Sequence, residues 1–325
     1  MQKEAQLYTL FNSKGTKVTL SNAAAAITDI QFLDKHGLLQ HLVAGFDRVE
    51  DYLSTKTKAW NLCLGASVGR VANRISGGGF HLGGQFYALP QNNEMHLHSE
   101  SCGLQHQIWT VKEQTNNKLV FAIAQQAGSC GYPGTINVSA TYTLNEENEL
   151  SLVYEATTDA TTVLNLCNHA YFNLAGTGSI LDHRLYIPSE RFLETDAQLV
   201  PTGKLLDTKT YNKDFSVQAR VGDRIGEGLD LAYALEKEHQ PLRLFASETG
   251  IEMQVVSNQL AVQVYTPPSF KGLGIRGDNN ADFPAICLEM QGYPDAPNRP
   301  EFPSIVVQPD KVYRSATTYS FSVIK

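Results

Sequence analysis

Residues 135–158 read TINVSATYTLNEENELSLVYEATT, and the alternation within them sets the fold class. Two runs rich in β-branched and aromatic residues flank the polar tetrapeptide NEEN at 145–148. In the second run Leu150, Leu152 and Tyr154 alternate with Ser151 and Val153. An extended chain sends successive side chains to opposite faces, so this alternation is what a strand with one buried face requires. The polar break between the runs carries turn chemistry.

The same pattern extends in both directions. KVTLSN (17–22), KLVFAIAQQ (118–126), IEMQVVS (251–257), LAVQVYTP (260–267) and KVYRSATTYSFSV (311–323) each predict a strand. In the last, Tyr319, Phe321 and Val323 alternate with Ser320 and Ser322. GGG at 77–79, GYPG at 131–134 and GDNN at 277–280 supply further turns. LDLAYALEKEHQ at 229–240 contains helix formers but suits a strand and a loop equally. Closely spaced strands without alternating helices predict an all-β, mostly antiparallel sandwich or barrel. No repeat period or low-complexity linker interrupts the chain. YPDAPNRPEFPS (293–304) has a linker's composition, yet strand-like sequence follows it to the last residue. The expectation is therefore an ordered loop within one domain spanning 1–325.

Composition narrows the function. Of 325 residues, 42% are hydrophobic and 18% charged, enough for a large core and unlike a disordered chain. The 26 basic and 33 acidic residues give a net charge of −7. No basic run of the kind that tracks phosphates occurs, which argues against nucleic acid as a partner. A mildly acidic surface suits a neutral small ligand. MQKEAQLYTLFNSKG at the start lacks the apolar centre of a signal peptide, and no apolar run is long enough to span a bilayer. Cys63, Cys102, Cys130, Cys167 and Cys287 are scattered and odd in number, with no CxxC pair. That argues against a disulfide framework and a thiolate zinc site. The expectation is a cytoplasmic protein with reduced thiols, free of membranes, a monomer or homodimer.

Several polar residues stand inside apolar text. LNLCNHAYFNLAG (164–176) sets His169 among aromatics and leucines. Imidazole titrates near neutrality, so His169 is either a bonded core residue or a general acid. Glu289 ends the apolar run Ala285, Ile286, Cys287, Leu288. A buried carboxylate must be paired or bonded, and such placement shifts its pKa as a general base requires; a structural ion pair is the alternative. GRVANRISGGGF (69–80) offers Asn73 and Arg74, which also suit a turn. NNEMHLHSE (92–100) offers His96 and His98 at strand spacing, a metal pair or a solvated pair. Asp230 suits a turn or helix cap, Gln263 means little alone, and Gln291 suits holding a loop. Tyr171, Phe172 and Tyr265 suit either a pocket wall or the core.

Together these segments resemble the aldose 1-epimerase, or mutarotase, family. GRVANRI, the HLH loop, GYPG with TINVSATYTL, NHAYFNLAG, ETDAQLVPTG (194–203) and LEMQGYPDAPN with FPS fall in the family's order over nearly the whole chain. The resemblance implies a large single-domain antiparallel β-sandwich, the galactose mutarotase-like supersandwich. It implies His169 as general acid and Glu289 as general base, with Arg74, His98, Asp230 and Gln263 holding sugar hydroxyls and Asn73 in the same loop as Arg74. His98 is preferred over His96 because the family motif centres on the second histidine. Ring opening and closure between sugar anomers needs no cofactor and no metal, since nothing is oxidised or transferred. This chain departs from the family at Ser99–Glu100, at Pro267–Pro268, at Leu231 after Asp230 and at Asp310. The departures lie mostly on loops and bear on sugar preference. The expected function is an isomerase acting on free hexoses such as galactose and glucose. The alternatives are a hexose 6-phosphate epimerase, needing extra Arg or Lys in the pocket, and a sugar-binding module without catalysis.

Overall fold

A computed structural model of the chain describes residues 4–60, 62–92, 95–235, 240–276 and 280–324. Within them the alternating runs become strands. The opening segment forms a hairpin in which Ile136–Leu144 pairs antiparallel with Glu149–Thr158, Leu144 opposite Leu150. That hairpin lies within a nine-stranded antiparallel sheet. In spatial order its strands are Thr110–Gln114, Lys118–Gln125, Ile136–Leu144, Glu149–Thr158, Tyr313–Val323, Ile251–Ser257, Leu242–Ala246, Arg184–Tyr186 and Ala219–Arg220. A six-stranded sheet faces it, ordered Tyr171–Phe172, Ile286–Gln291, Ala261–Tyr265, Asp230–Ala234, Arg191–Thr195 and Pro201–Asp207. Leu7–Phe11, Lys17–Ser21, Ala26–Leu33 and Leu39–His41 make a third sheet of four strands. The longest described helix, Thr55–Trp60, has 6 residues, and no described helix is long and apolar enough to cross a membrane.

Alternation explains the core. Leu150, Leu152 and Tyr154 of the large sheet and Ile286, Leu288 and Met290 of the smaller one belong to one buried cluster. The intervening residues Cys287, Glu289 and Gln291 point to the other face of the six-stranded sheet. That face is covered as well, so every residue of Ile286–Gln291 is buried. A strand covered on both sides gives a polar residue on its far face a dry environment.

Most sequence expectations hold. IEMQVVS coincides with its strand, and the ambiguous 229–240 segment begins as the strand Asp230–Ala234. Its residues 236–239 lie outside the described residues, as do 277–279 of the GDNN turn and 93–94 of the histidine loop. The Pro-rich stretch is ordered around a short 3₁₀ turn, Ala296–Asn298.

The expectation of five reduced thiols is corrected. Cys102 and Cys130 form a disulfide, 28 residues apart in sequence with Cα atoms 5.9 Å apart. Their turns, Glu100–Cys102 and Ser129–Gly131, are short 3₁₀ segments brought together by the fold, a proximity that linear spacing does not encode. Cys63, Cys167 and Cys287 remain buried thiols.

Candidate active site

The outward face of the six-stranded sheet assembles the site by register. Gln263 lies directly opposite Glu289, and Asp230 opposite Tyr265. Three loops close over this face. One carries Asn73 and Arg74, one His98, and one His169, enclosing a cavity of about 230 Å³. All seven residues expected from sequence line it, together with Leu62, Leu97, Tyr171 and Tyr265. Its volume lies below the roughly 300–1,000 Å³ of pockets for drug-sized ligands, which suits one small molecule. A larger groove of about 750 Å³ crosses the nine-stranded sheet near Ile123 and Val138, and none of the seven expected residues lines it.

His169 and Glu289 meet within the cavity. Nε2 of His169 is 3.4 Å from Oε1 of Glu289, and both side chains are buried. The His169 backbone is locked from two sides, its N–H donating to Ala66 at 2.9 Å and its carbonyl accepting from Gly65 at 3.0 Å. Tyr171 stacks on the imidazole with ring centroids 4.9 Å apart and donates its hydroxyl to the Leu62 carbonyl at 2.7 Å. Nδ1 of His169 is buried without a hydrogen-bond partner among the described residues. Burial lowers the His169 pKa to about 4 and raises that of Glu289 to about 8, because each charged form loses its hydration.

His98 is held differently. It sits in the left-handed region at φ 53, as do Ser99 and Glu100 after it. Its Nδ1 accepts from the Asn73 backbone N–H at 3.0 Å, so in the neutral ring the proton sits on Nε2. Burial, and then His169, push its pKa well below the ordinary value, leaving a neutral hydrogen-bonding group. Asn73 also has positive φ, 65, and its side-chain oxygen accepts from Arg74 N–H at 2.9 Å. Arg74 Nη2 lies 3.6 Å from Asp230 Oδ2, and Gln263 donates to the other Asp230 oxygen. These groups form a fixed set of donors and acceptors beside His169 and Glu289.

Sequence spacing fails at the HLH pair. The strand ends at Leu97, and the left-handed turn sends His98 into the cavity. His96 instead bonds Pro90 O and Tyr132 Oη, each at 2.7 Å, and is fully buried. The two rings therefore do not share a face, and neither is solvated. Phe172 faces the main core, while Tyr171 and Tyr265 wall the cavity. Gln291 is buried with both amide atoms unpartnered among the described residues. Cys167, overlooked in the sequence, places Sγ 3.4 Å from Glu289 Oε2; its only signal was its position two residues before His169.

His98, His169 and Glu289 each offer a ligand atom within 4.8 Å of the others. Two imidazoles and a carboxylate can suit a transition metal. Here, however, Nδ1 of His98 is already engaged by a backbone donor and its Nε2 is protonated. Metal-bound imidazoles normally reverse this, donating from the second ring nitrogen to an acceptor. The donor set fits acid–base work better than ligation.

An antiparallel β-sandwich with a small polar cavity, where a buried imidazole meets a buried carboxylate, defines a class of protein able to transfer protons at one small molecule. The family follows from comparison with known proteins. The Aldose 1-epimerase family model matches residues 6–320, and the chain belongs to this family. It is 35% identical to galactose mutarotase of Mus musculus, over 94% of this chain and 91% of that protein. It is 33% identical to aldose 1-epimerase of Haemophilus influenzae, over 91% and 89% of the two chains. Among solved structures, a GalM/aldose epimerase homologue from C. elegans superposes with a TM-score of 0.92 at 27% identity, covering 99% of this chain and 100% of that one.

Proposed function

We propose that the protein interconverts the α and β anomers of free hexoses such as galactose and glucose, with Glu289 and His169 moving the protons. The observation that carries this is the 3.4 Å approach of His169 Nε2 to Glu289 Oε1 in a buried cavity. Anomerisation reacts at two oxygens borne by one carbon, the C1 hydroxyl and the ring oxygen. An acid and a base serving both must therefore be neighbours. Glu289 takes the C1 hydroxyl proton as His169 gives one to the ring oxygen, and the ring opens. The aldehyde turns about C1–C2, and the reverse transfers close the ring on the other face. An unpartnered Nδ1 destabilises imidazolium, so His169 gives up its proton readily.

Arg74, Asp230, Gln263, His98 and Asn73 supply directed partners for a neutral sugar's hydroxyls. Arg74 is the one cation among the described lining residues, and Asp230 sits against it. A phosphorylated hexose would meet Asp230 and Glu289 without the second cation it needs, so the free sugar is favoured. Retaining a coupled acid and base favours an enzyme over a binding module. We also read residues 1–325 as one domain, because one core cluster runs from Leu10 to Phe321. A cytoplasmic location is proposed on the thiols of Cys63, Cys167 and Cys287, against the Cys102–Cys130 disulfide, which oxidising compartments favour; fractionation decides between them. Light scattering would separate monomer from homodimer.

Polarimetry on freshly dissolved α-D-galactose and α-D-glucose tests the activity. The protein should speed relaxation to an unchanged final rotation. Glu289→Gln and His169→Asn should each lower kcat by about 10²–10⁴-fold with little change in KM. Full activity in Glu289→Gln would overturn the assignment of the base; a change confined to KM in His169→Asn would make that histidine a binding group.

A further inference from the structure

We propose that Cys167 is a positioning residue for the general base, its thiol tethering one oxygen of Glu289 so that the other faces the reacting sugar. The inference rests on Glu289 being that base. The two carboxylate oxygens have separate neighbours. Oε1 lies 3.4 Å from His169 Nε2, whereas Oε2 lies 3.4 Å from Cys167 Sγ. Among the described residues no other hydrogen bond reaches this carboxylate. A thiol carries one hydrogen and a carboxylate only lone pairs, so Cys167 donates.

The donor is itself rigid. Cys167 is 1% exposed and pairs with Val68 in a short antiparallel ladder. Its carbonyl accepts from Tyr154 Oη at 3.3 Å. Burial, with the Glu289 charge next, raises the thiol's pKa well above its ordinary value, so Cys167 remains a donor while Glu289 titrates. His169 sits two residues along the same segment, which couples the placement of acid and base.

Other groups set the background against which this bond acts. The charge of Glu289 also reaches the thiols of Cys63 and Cys287, each pushed up by burial first and by that carboxylate second. Asp230 raises Glu289 and Arg74 lowers it, at longer range. Tyr171, Tyr265 and Tyr319 all feel its charge and are raised chiefly by burial. His98 flanks the imidazole, its ring 5.6 Å from that of His169. None of these replaces the contact at Oε2.

The test compares wild type, Cys167→Ala, Cys167→Val and Cys167→Ser. The readouts are the pH dependence of kcat/KM and an infrared titration of the buried carboxyl, assigned by its loss in Glu289→Gln. Removing a donor to the carboxylate destabilises its charged form. In the alanine and valine variants the carboxyl midpoint and the alkaline limb should move up together, by about half a pH unit. KM should stay near wild type while kcat falls. Valine fills the space, which guards against an alanine variant that does not fold. Serine restores a donor stronger than a thiol, so its midpoint should lie at or below wild type. Coincident midpoints in folded valine, serine and wild-type proteins would overturn the role of Cys167. Full activity in Glu289→Gln would instead overturn the assignment of the base.

Discussion

His169 and Glu289 carry charges opposite in sign, and burial opposes both. The pKa of one falls to about 4 and that of the other rises to about 8. A carboxylate beside an imidazolium and a carboxylic acid beside a neutral imidazole hold the same number of protons. The pair therefore keeps one proton between those limits, and its two steps belong to the pair rather than to either residue. The proposed proton transfers require that single proton. Below about pH 4 a second proton leaves no base, and above about pH 8 the loss of the first leaves no acid. The expected pH profile of kcat/KM is a bell with limbs near these values, measurable by polarimetry with the uncatalysed rate subtracted. A flat profile across the alkaline limb would contradict a buried carboxyl as the titrating group. The two residues proposed as acid and base stood out in the residues and their motifs, but their protonation was not legible there. Desolvation depends on the walls that Tyr171, Tyr265 and the loops build.

At the scale of elements, the loop behind His169 depends on one glycine. Gly65 has φ +66, and a Cβ there would lie 1.9 Å from the Ile27 carbonyl oxygen. Its N–H bonds the His169 carbonyl, and its carbonyl accepts from the Asn168 amide at 2.9 Å. Gly65→Ala adds left-handed strain of about 1–3 kcal/mol and forces backbone to shift at His169. Both Tm and kcat should fall, as differential scanning calorimetry and polarimetry would show; a fall in neither would mean that this backbone is free to yield. Strands were the most legible elements because a period of two is written in adjacent residues. Leu150, Leu152 and Tyr154 reveal their face without reference to anything distant. The HLH loop was misread for the converse reason. Its left-handed residues His98, Ser99 and Glu100 break the period, and no glycine marks the turn.

At the scale of the whole molecule, the core and the site lie on opposite faces of the six-stranded sheet. Leu152 is 1% exposed in the main cluster, and it does not line the cavity. Leu152→Ala should cost about 2–5 kcal/mol through lost burial and the hole it leaves. Urea denaturation should register the loss, while kcat/KM of the folded enzyme stays near wild type. A large drop in kcat/KM would show the core and the site to be mechanically coupled through the sheet.

By itself the sequence determined the all-β class, most strand positions and the residue types of the site. Each is stated by local alternation or by motifs short enough to survive without partners. Only the tertiary structure decided that Cys102 meets Cys130, that His96 turns away to bond Pro90 and Tyr132, and that Cys167 bonds Glu289. It also decided the direction of each pKa shift. Those outcomes depend on contacts between distant segments and on exclusion of water, which exist only once the sheets have paired and packed.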